Sequence, residues 1–303
     1  MNKAMNKQII RITVCAAIAL TAMTACSSDD ATSQEGQGHQ PILLSTSMQT
    51  RAGQSIQNVQ FEKGQEINVQ ITAQDNKTKY DQLTYYTSDN AGTIVPKTGV
   101  YPYYPTNKAK VNIRAIYPTG YMKATSFSVR NPQTSKADYM ASDLMFASLT
   151  DVETPTTETT HTLDFKHKMV KVQVNLTAEG GVELQGSQVK LLNVKTQTTF
   201  NSTTGVVSEV GTGSTTDMII STNGKVGCAA IIVPQSVESG YLIEIVLANN
   251  DILNYRTAQT MTFESGKKYT FNIKVIESDI TVSTSVSDWD YESETDVTDR
   301  VQL

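Results

Sequence analysis

Tryptophan occurs once in this chain of 303 residues, and histidine and cysteine three times each. Metal centres and Cys/His catalytic pairs draw on those residue types, and no zinc-ligand spacing is present. A phosphate-cradling glycine loop and a nucleophile elbow are missing too. Nothing points to an enzyme or to a cofactor. Lysine and arginine are scattered, and the net charge is −5. That excludes the basic stripe which a nucleic-acid surface needs. Hydrophobic residues reach only 39 %, and Leu/Ala/Glu/Lys-rich helical runs are absent beyond the N-terminal segment. What remains is rich in Thr, Ser, Val, Asn and Gln, a balance that favours short strands over helices.

The cysteines are Cys15, Cys26 and Cys228. Lys3, Lys7 and Arg11 form a positive start, and Ile12 to Ala22 supply an apolar run too short to span a bilayer as a stable helix. The run ends in Met23-Thr24-Ala25-Cys26, which resembles a bacterial lipobox. There cleavage falls before the cysteine, which is then acylated. The alternative is an ordinary secretory signal cut near Ala25 that leaves Cys26 free. Several acyl chains on Cys26 would anchor the protein stably, whereas one gives only marginal binding. Cys15 leaves with the signal, so Cys228 stands alone and no intramolecular disulfide framework forms. Residues 26–39 are acidic and Ser-rich and read as a flexible tether.

Along the mature chain, apolar alternation marks strands. Ile42 to Met48 is the first. Ile67, Val69, Ile71 and Ala73 alternate with polar residues after a Lys63-Gly64 turn, and Asp75-Asn76 ends that strand. Val111, Ile113 and Ala115 mark another. Asp138 to Leu149 reads as a loop feeding a strand, and Asp151 to Thr160 as a linker. Later strands are Val189–Val194, Val206–Val210, the continuous apolar run Val226 to Val233, Tyr241 to Leu247, Tyr269 to Val275, and Ile280 to Trp289. Short strands divided by turns predict β-sandwiches. The organising stretch is Phe165–Leu176. Leu163, Phe165 and Met169 occupy odd positions, whereas Val170, Val172, Val174 and Leu176 occupy even ones. Successive strand residues point to opposite faces, so this change of phase predicts a bulge or a passage from one sheet into another.

Eight of the thirteen tyrosines lie between Tyr80 and Tyr121. Tyr85, Tyr86, Tyr101, Tyr103 and Tyr104 are candidates for an adhesive surface that stacks on glycans or anchors a protein, with cross-strand packing as their other use. His161 and His167 share the odd face of one strand and read as structural. Cys228 lies in an apolar strand and reads as an inert thiol. Asp138 and Asp143 fit loop chemistry better than an acid/base pair.

Several features converge in order: the lipobox, Thr50-Arg51-Ala52, Phe61–Gly64 leading into an alternating strand, Phe165–Val172, Gly266–Ile273, and Asp288-Trp289. Together the chain resembles the fimbrillin family of Bacteroidales, the subunits of surface fimbriae. The resemblance implies an all-β fold of two tandem transthyretin-like β-sandwich domains, here 40–160 and 161–303, after a signal peptide (1–25) and tether (26–39). It implies a lipoprotein carried to the outer membrane on Cys26 and exposed at the surface, partnered by other fimbrial subunits and serving adhesion to surface glycans or proteins. An arginine-directed protease would cut after Arg51, leaving Ala52 as the new amino terminus and discarding the strand Ile42 to Met48. A strand from the next subunit would fill the groove. The donor would lie within Asp296–Leu303, where Val297, Val301 and Leu303 share a face with Asp299. The alternative is a monomeric surface lipoprotein that captures glycans through its tyrosines.

Overall fold

The computed structural model describes residues 40–48, 61–221, 228–277 and 279–289. Cys26, Arg51, Ala52, Val297, Val301 and Leu303 lie outside them. The first part of the chain forms β1 (Leu43–Met48), β2 (Glu66–Ala73), β3 (Lys79–Thr87), β4 (Ile94–Pro96), β5 (Val111–Tyr117) and β6 (Ser126–Ser128). Helix α1 (Lys136–Ala141), β7 (Met145–Val152) and β8 (Thr160–His167) follow. The second part forms β9 (Val170–Glu179), β10 (Gln188–Val194), β11 (Gln197–Asn201), β12 (Val206–Val207), β13 (Thr216–Ser221) and β14 (Cys228–Ile232). After these come β15 (Gln235–Val237), β16 (Gly240–Val246), β17 (Ile252–Thr257), β18 (Met261–Phe263), β19 (Lys267–Ile276) and β20 (Asp279–Asp288).

The chain is all-β, with two sandwich cores in tandem. A seven-stranded sheet in the order β1-β8-β7-β5-β2-β3-β4 wraps the first core. Ile67, Val69, Ile71 and Ala73 of β2 are buried there, as their alternation requires. The β2–β3 turn rests on Asn76 in the left-handed region (φ 57°) and on Asp75, whose carboxylate accepts from Lys77 N at 3.0 Å. Two four-stranded sheets, β13-β10-β16-β17 and β14-β9-β19-β20, enclose the second core. Rings meet across it, Tyr255 of β17 against Phe271 of β19 at 5.8 Å.

The phase change falls where the chain passes between sheets. Leu163 and Phe165 of β8 pack in the first core, and Met169, Val170, Val172, Val174 and Leu176 in the second. Lys168 and Met169 separate the strands. Lys168 N donates to Leu144 O at 2.8 Å, and Met169 O accepts from Gly266 N at 2.9 Å. Past this point both faces of β9 are covered, because Lys171 and Gln173 are buried along with the valines. The second core also takes Ile116, Met122, Phe127, Val129, Leu144 and Phe146 from the first part of the chain.

Two sequence expectations need correcting. The stretch from Asp138 begins as helix rather than loop, because Ser135 Oγ caps Asp138 N at 3.1 Å while its hydroxyl donates back to the Asp138 carboxylate. The strand expected over Val206–Val210 shrinks to Val206–Val207: Ser208 Oγ accepts from Val210 N at 3.1 Å, forming a local turn that leaves Val210 exposed.

Candidate assembly groove

Strand β1 is joined to the sheet from far away in sequence. It runs parallel to β8, from Leu43 opposite Thr160 to Met48 opposite Phe165. Its other edge is held by loops near β4 and before β5. Ile42 N donates to Pro102 O at 2.8 Å, Thr46 N to Gly92 O at 2.7 Å, and Tyr104 N to Gln40 O at 3.0 Å. Bridges join Pro41 to Tyr103 and Ser45 to Thr93. With hydrogen bonds on both sides, β1 closes the seven-stranded sheet on itself.

The side chains follow the strand period. Ile42, Leu44, Thr46 and Met48 point inward and are buried. They sit in one core with Phe61, Tyr85, Ile94, Tyr104, Leu163 and Phe165. Phe61 meets the Phe165 ring edge-on at 4.9 Å. Burying three aliphatic side chains at roughly 1.5–3 kcal/mol each is a gross gain that removal of β1 would forfeit. The lone polar member is satisfied locally, as Thr46 Oγ1 donates to Gly92 O at 3.1 Å. Outward, Ser45 Oγ lies 3.0 Å from Thr162 Oγ1, and Ser47 Oγ donates to Asp164 at 3.3 Å.

Gly92 is what lets the turn approach so closely. Its φ is +90°, and a Cβ there would stand 2.2 Å from Thr46 O. Asp89 braces the turn by accepting from Ala91 N and Thr93 N at 2.9 and 3.0 Å. The Thr93 hydroxyl, with those N–H groups, holds the Asp89 carboxyl below its usual range.

The tyrosines do not form one open platform. Tyr85 and Tyr104 belong to the core, and Tyr101 and Tyr103 are half-buried; Tyr86, at 39 % exposure, is open to solvent. Burial pushes the Tyr85 hydroxyl well above its usual range, helped by nearby Tyr101 and Tyr80. Tyr104 OH shares a 2.6 Å hydrogen bond with His161 Nε2, and burial lowers the His161 pKa. Tyr80 OH accepts from Tyr103 N at 3.1 Å. Tyrosine favours strands because its ring covers neighbouring side chains, and that use prevails here.

His167 is buried, bonded through Nδ1 to Asp143 at 2.8 Å and stacked on Trp289, with centroids 4.0 Å apart and planes within 6°. The Asp138 carboxylate accepts from the Ser135 hydroxyl at the start of α1 while Asp143 holds His167, so the two carboxylates serve different structures. Burial pushes the Cys228 thiol up to about 12, which keeps it protonated and unreactive. Among the described residues no cluster of three His, Cys, Asp or Glu is placed to hold a metal, and no helix is long and apolar enough to cross a membrane. Sequence reasoning missed Gly92, Thr93 and Pro102, which grip β1. Their signal was faint, a Ser/Asp/Asn/Gly turn and a Pro/Tyr loop with no alternation.

The described residues thus form an all-β sandwich protein whose first strand pairs in parallel with a strand distant in sequence. The chain belongs to the fimbrillin-like family, whose model matches residues 50–289. It is 26 % identical, over 94 % of its length and 96 % of the relative's, to a Bacteroides uniformis protein described as a candidate fimbrium subunit, Fim1C. Two solved structures of candidate cell adhesion proteins share the fold. One, from Bacteroides ovatus, has TM-score 0.68 and 18 % identity, covering 85 % of this chain and 100 % of its own. The other, from Bacteroides uniformis, has TM-score 0.65 and 21 % identity, covering 83 % and 98 %. Membership of a fimbrial-subunit family implies a cell-surface fimbrium as the setting and other fimbrial subunits as partners. It favours a structural role over an enzymatic one.

Proposed function

We propose that this protein is a fimbrial subunit that polymerises by strand replacement and serves adhesion. It is exported as a lipoprotein, acylated on Cys26 and carried to the outer membrane, and then cut between Arg51 and Ala52. The observation that carries this reading is the position of β1. It is bound on both edges, its inward side chains fill the first core, and it lies just ahead of Arg51 in sequence. Once the chain is cut, β1 is held by noncovalent contacts alone. Its departure leaves an apolar groove between β8 and the loops of Gly92 and Pro102. A strand from the next subunit restores the lost hydrogen bonds and fills the same positions. Closure across subunits also covers two sheet edges that would otherwise invite disordered association. The two sandwiches, with the chain passing between them at Lys168 and Met169 after β8 rather than at 160/161, would then be the two links of each subunit along the fibre.

Capture of glycans by a monomer is the less favoured reading, because Tyr85 and Tyr104 are inside the core and Tyr101 and Tyr103 are half-buried, which leaves Tyr86 as the open ring among the five. The test is to treat purified protein with an arginine-specific protease and follow it by electron microscopy and N-terminal sequencing. Filaments whose subunits begin at Ala52 are expected. Arg51→Ala should give a folded protein that yields none, and unchanged filament yield from that variant would refute processing at this site.

A further inference from the structure

A strand at the rim of a sheet offers a row of N–H and C=O groups to any passing chain, and folded proteins guard such rims with charge, proline, bulges or a covering loop. Among the described residues, three rims are guarded in these ways. β4 is three residues long and ends in Pro96. In β14 the backbone of Ile231 is taken up by the Gln133 amide, which accepts from Ile231 N at 2.8 Å and donates to Ile231 O at 2.6 Å. β17 carries Arg256, and its register against β16 shifts between Tyr241 and Ile243.

β20 differs. It ends its sheet among the described residues and pairs with β19 in unbroken register over ten positions, from Asp279 opposite Ile276 to Asp288 opposite Lys267. Residues 280–287 include no charge, no proline and no bulge. Val282, Thr284 and Val286 stand opposite Ile273, Phe271 and Tyr269 and share their inward face. Even so, Thr284 is exposed, and Val286 is 57 % exposed. An inward apolar side chain that stays wet lacks cover from a next strand in the sheet.

The same strand in a second copy supplies that cover. Thr281-Val-Ser-Thr-Ser-Val-Ser287 reads nearly alike in both directions about Thr284. Laid antiparallel on another copy with Thr284 opposite Thr284, Ser283 meets Ser285, Val282 meets Val286 and Thr281 meets Ser287, each twice. Cross-strand pairs of β-branched and hydroxyl residues are favourable, and no like charges stand opposite each other. Asp288 falls opposite Ile280, and its charge is already met by Lys267 Nζ at 2.5 Å.

We propose that β20 is an interaction surface for a second copy of this chain, an antiparallel β20–β20 pair with its two-fold axis at Thr284. This goes beyond the strand-replacement reading and does not depend on it, since β1 keeps its place and no strand leaves its sheet. Ten paired residues span about 34 Å. A contact of that length and one sheet's thickness falls below the roughly 1,200 Å² that stable interfaces bury. One pair is therefore weak and reversible, and copies arrayed on a common surface multiply it. The surface suits side-by-side association of displayed copies rather than a tight dimer.

Single-cysteine cross-linking locates the axis. The full chain carries Cys15→Ala, Cys26→Ala and Cys228→Ala, and one thiol is added at position 283, 284 or 285, all exposed. Under mild oxidation Thr284→Cys should form a disulfide dimer about tenfold faster than Ser283→Cys or Ser285→Cys, because residue 284 alone meets its own counterpart. An equimolar mixture of Ser283→Cys and Ser285→Cys should join at the fast rate as a mixed dimer. Adding Thr284→Lys to both members of that mixture sets two ammonium groups face to face and should return it to the slow rate. Equal rates for the three single variants would mean random collision and overturn the proposal. A fastest dimer through 283 or 285 alone would overturn this axis, and a mixed dimer indifferent to Thr284→Lys would overturn the strand pair.

Discussion

Ser45-Thr46-Ser47 and Ser283-Thr284-Ser285 are the same tripeptide in the same strand conformation, yet one closes a core and the other faces solvent. β1 is gripped on both edges, by β8 and by the loops of Gly92 and Pro102. Among the described residues β20 is gripped on one, by β19. A strand side chain is buried only where a second layer or a second neighbour covers it. Local sequence therefore prepares a strand for burial without deciding that burial occurs.

The widest separation between the two strands should come from truncating matched apolar residues. Leu44→Ala should cost about 2–4 kcal/mol because it opens a cavity under a fully buried side chain. Val282→Ala, at the equivalent half-buried position of β20, should cost about 0.5–1 kcal/mol. Chemical denaturation of the uncleaved protein reads both, and equal costs would break the comparison. Next in size is Gly92→Ala. Its added Cβ overlaps Thr46 O at a backbone angle that alanine adopts poorly, so a loss of about 1–3 kcal/mol is expected. Among the described residues β20 has no such neighbour, so the loss should come with faster proteolysis around β1 and an undisturbed Trp289 signal.

The smallest effect is one of pH. His161 lies opposite Leu44 of β1, and burial lowers its pKa from 6.5. The folded state thus favours the neutral ring, and the unfolded chain binds the proton first. Stability is full above about 6.5 and falls as pH drops from there toward the folded value. Denaturation midpoints measured from pH 7.5 to 5 should decline, and His161→Gln should flatten that part of the slope. A wild-type profile that is level across the range would mean that His161 carries no such linkage.

Much of this was legible before any fold was known. Alternation at Ile67–Ala73 and at Tyr269–Val275 marks strands because the strand period is two. The slip between Phe165 and Val170 marks the passage between sheets for the same reason. Other features had no local trace. Tyr85 and Tyr86 are adjacent and chemically alike, and only the layer above decides that one is core and the other surface. Asp143 meets His167, and His167 meets Trp289, across loops that no spacing rule connects.

By itself the sequence determined the strand-forming composition, the turn positions, the face each apolar residue takes along its strand, and the chemical repeat between residues 42–48 and 280–286. All are local or pairwise-comparable properties, set by backbone sterics and side-chain type. Tertiary structure alone decided that β1 pairs in parallel with a strand more than a hundred residues away, that Gly92 admits it, and that β20 ends its sheet among the described residues. Those outcomes depend on which surfaces meet in space, and a pattern of period two is silent about the neighbour it will find.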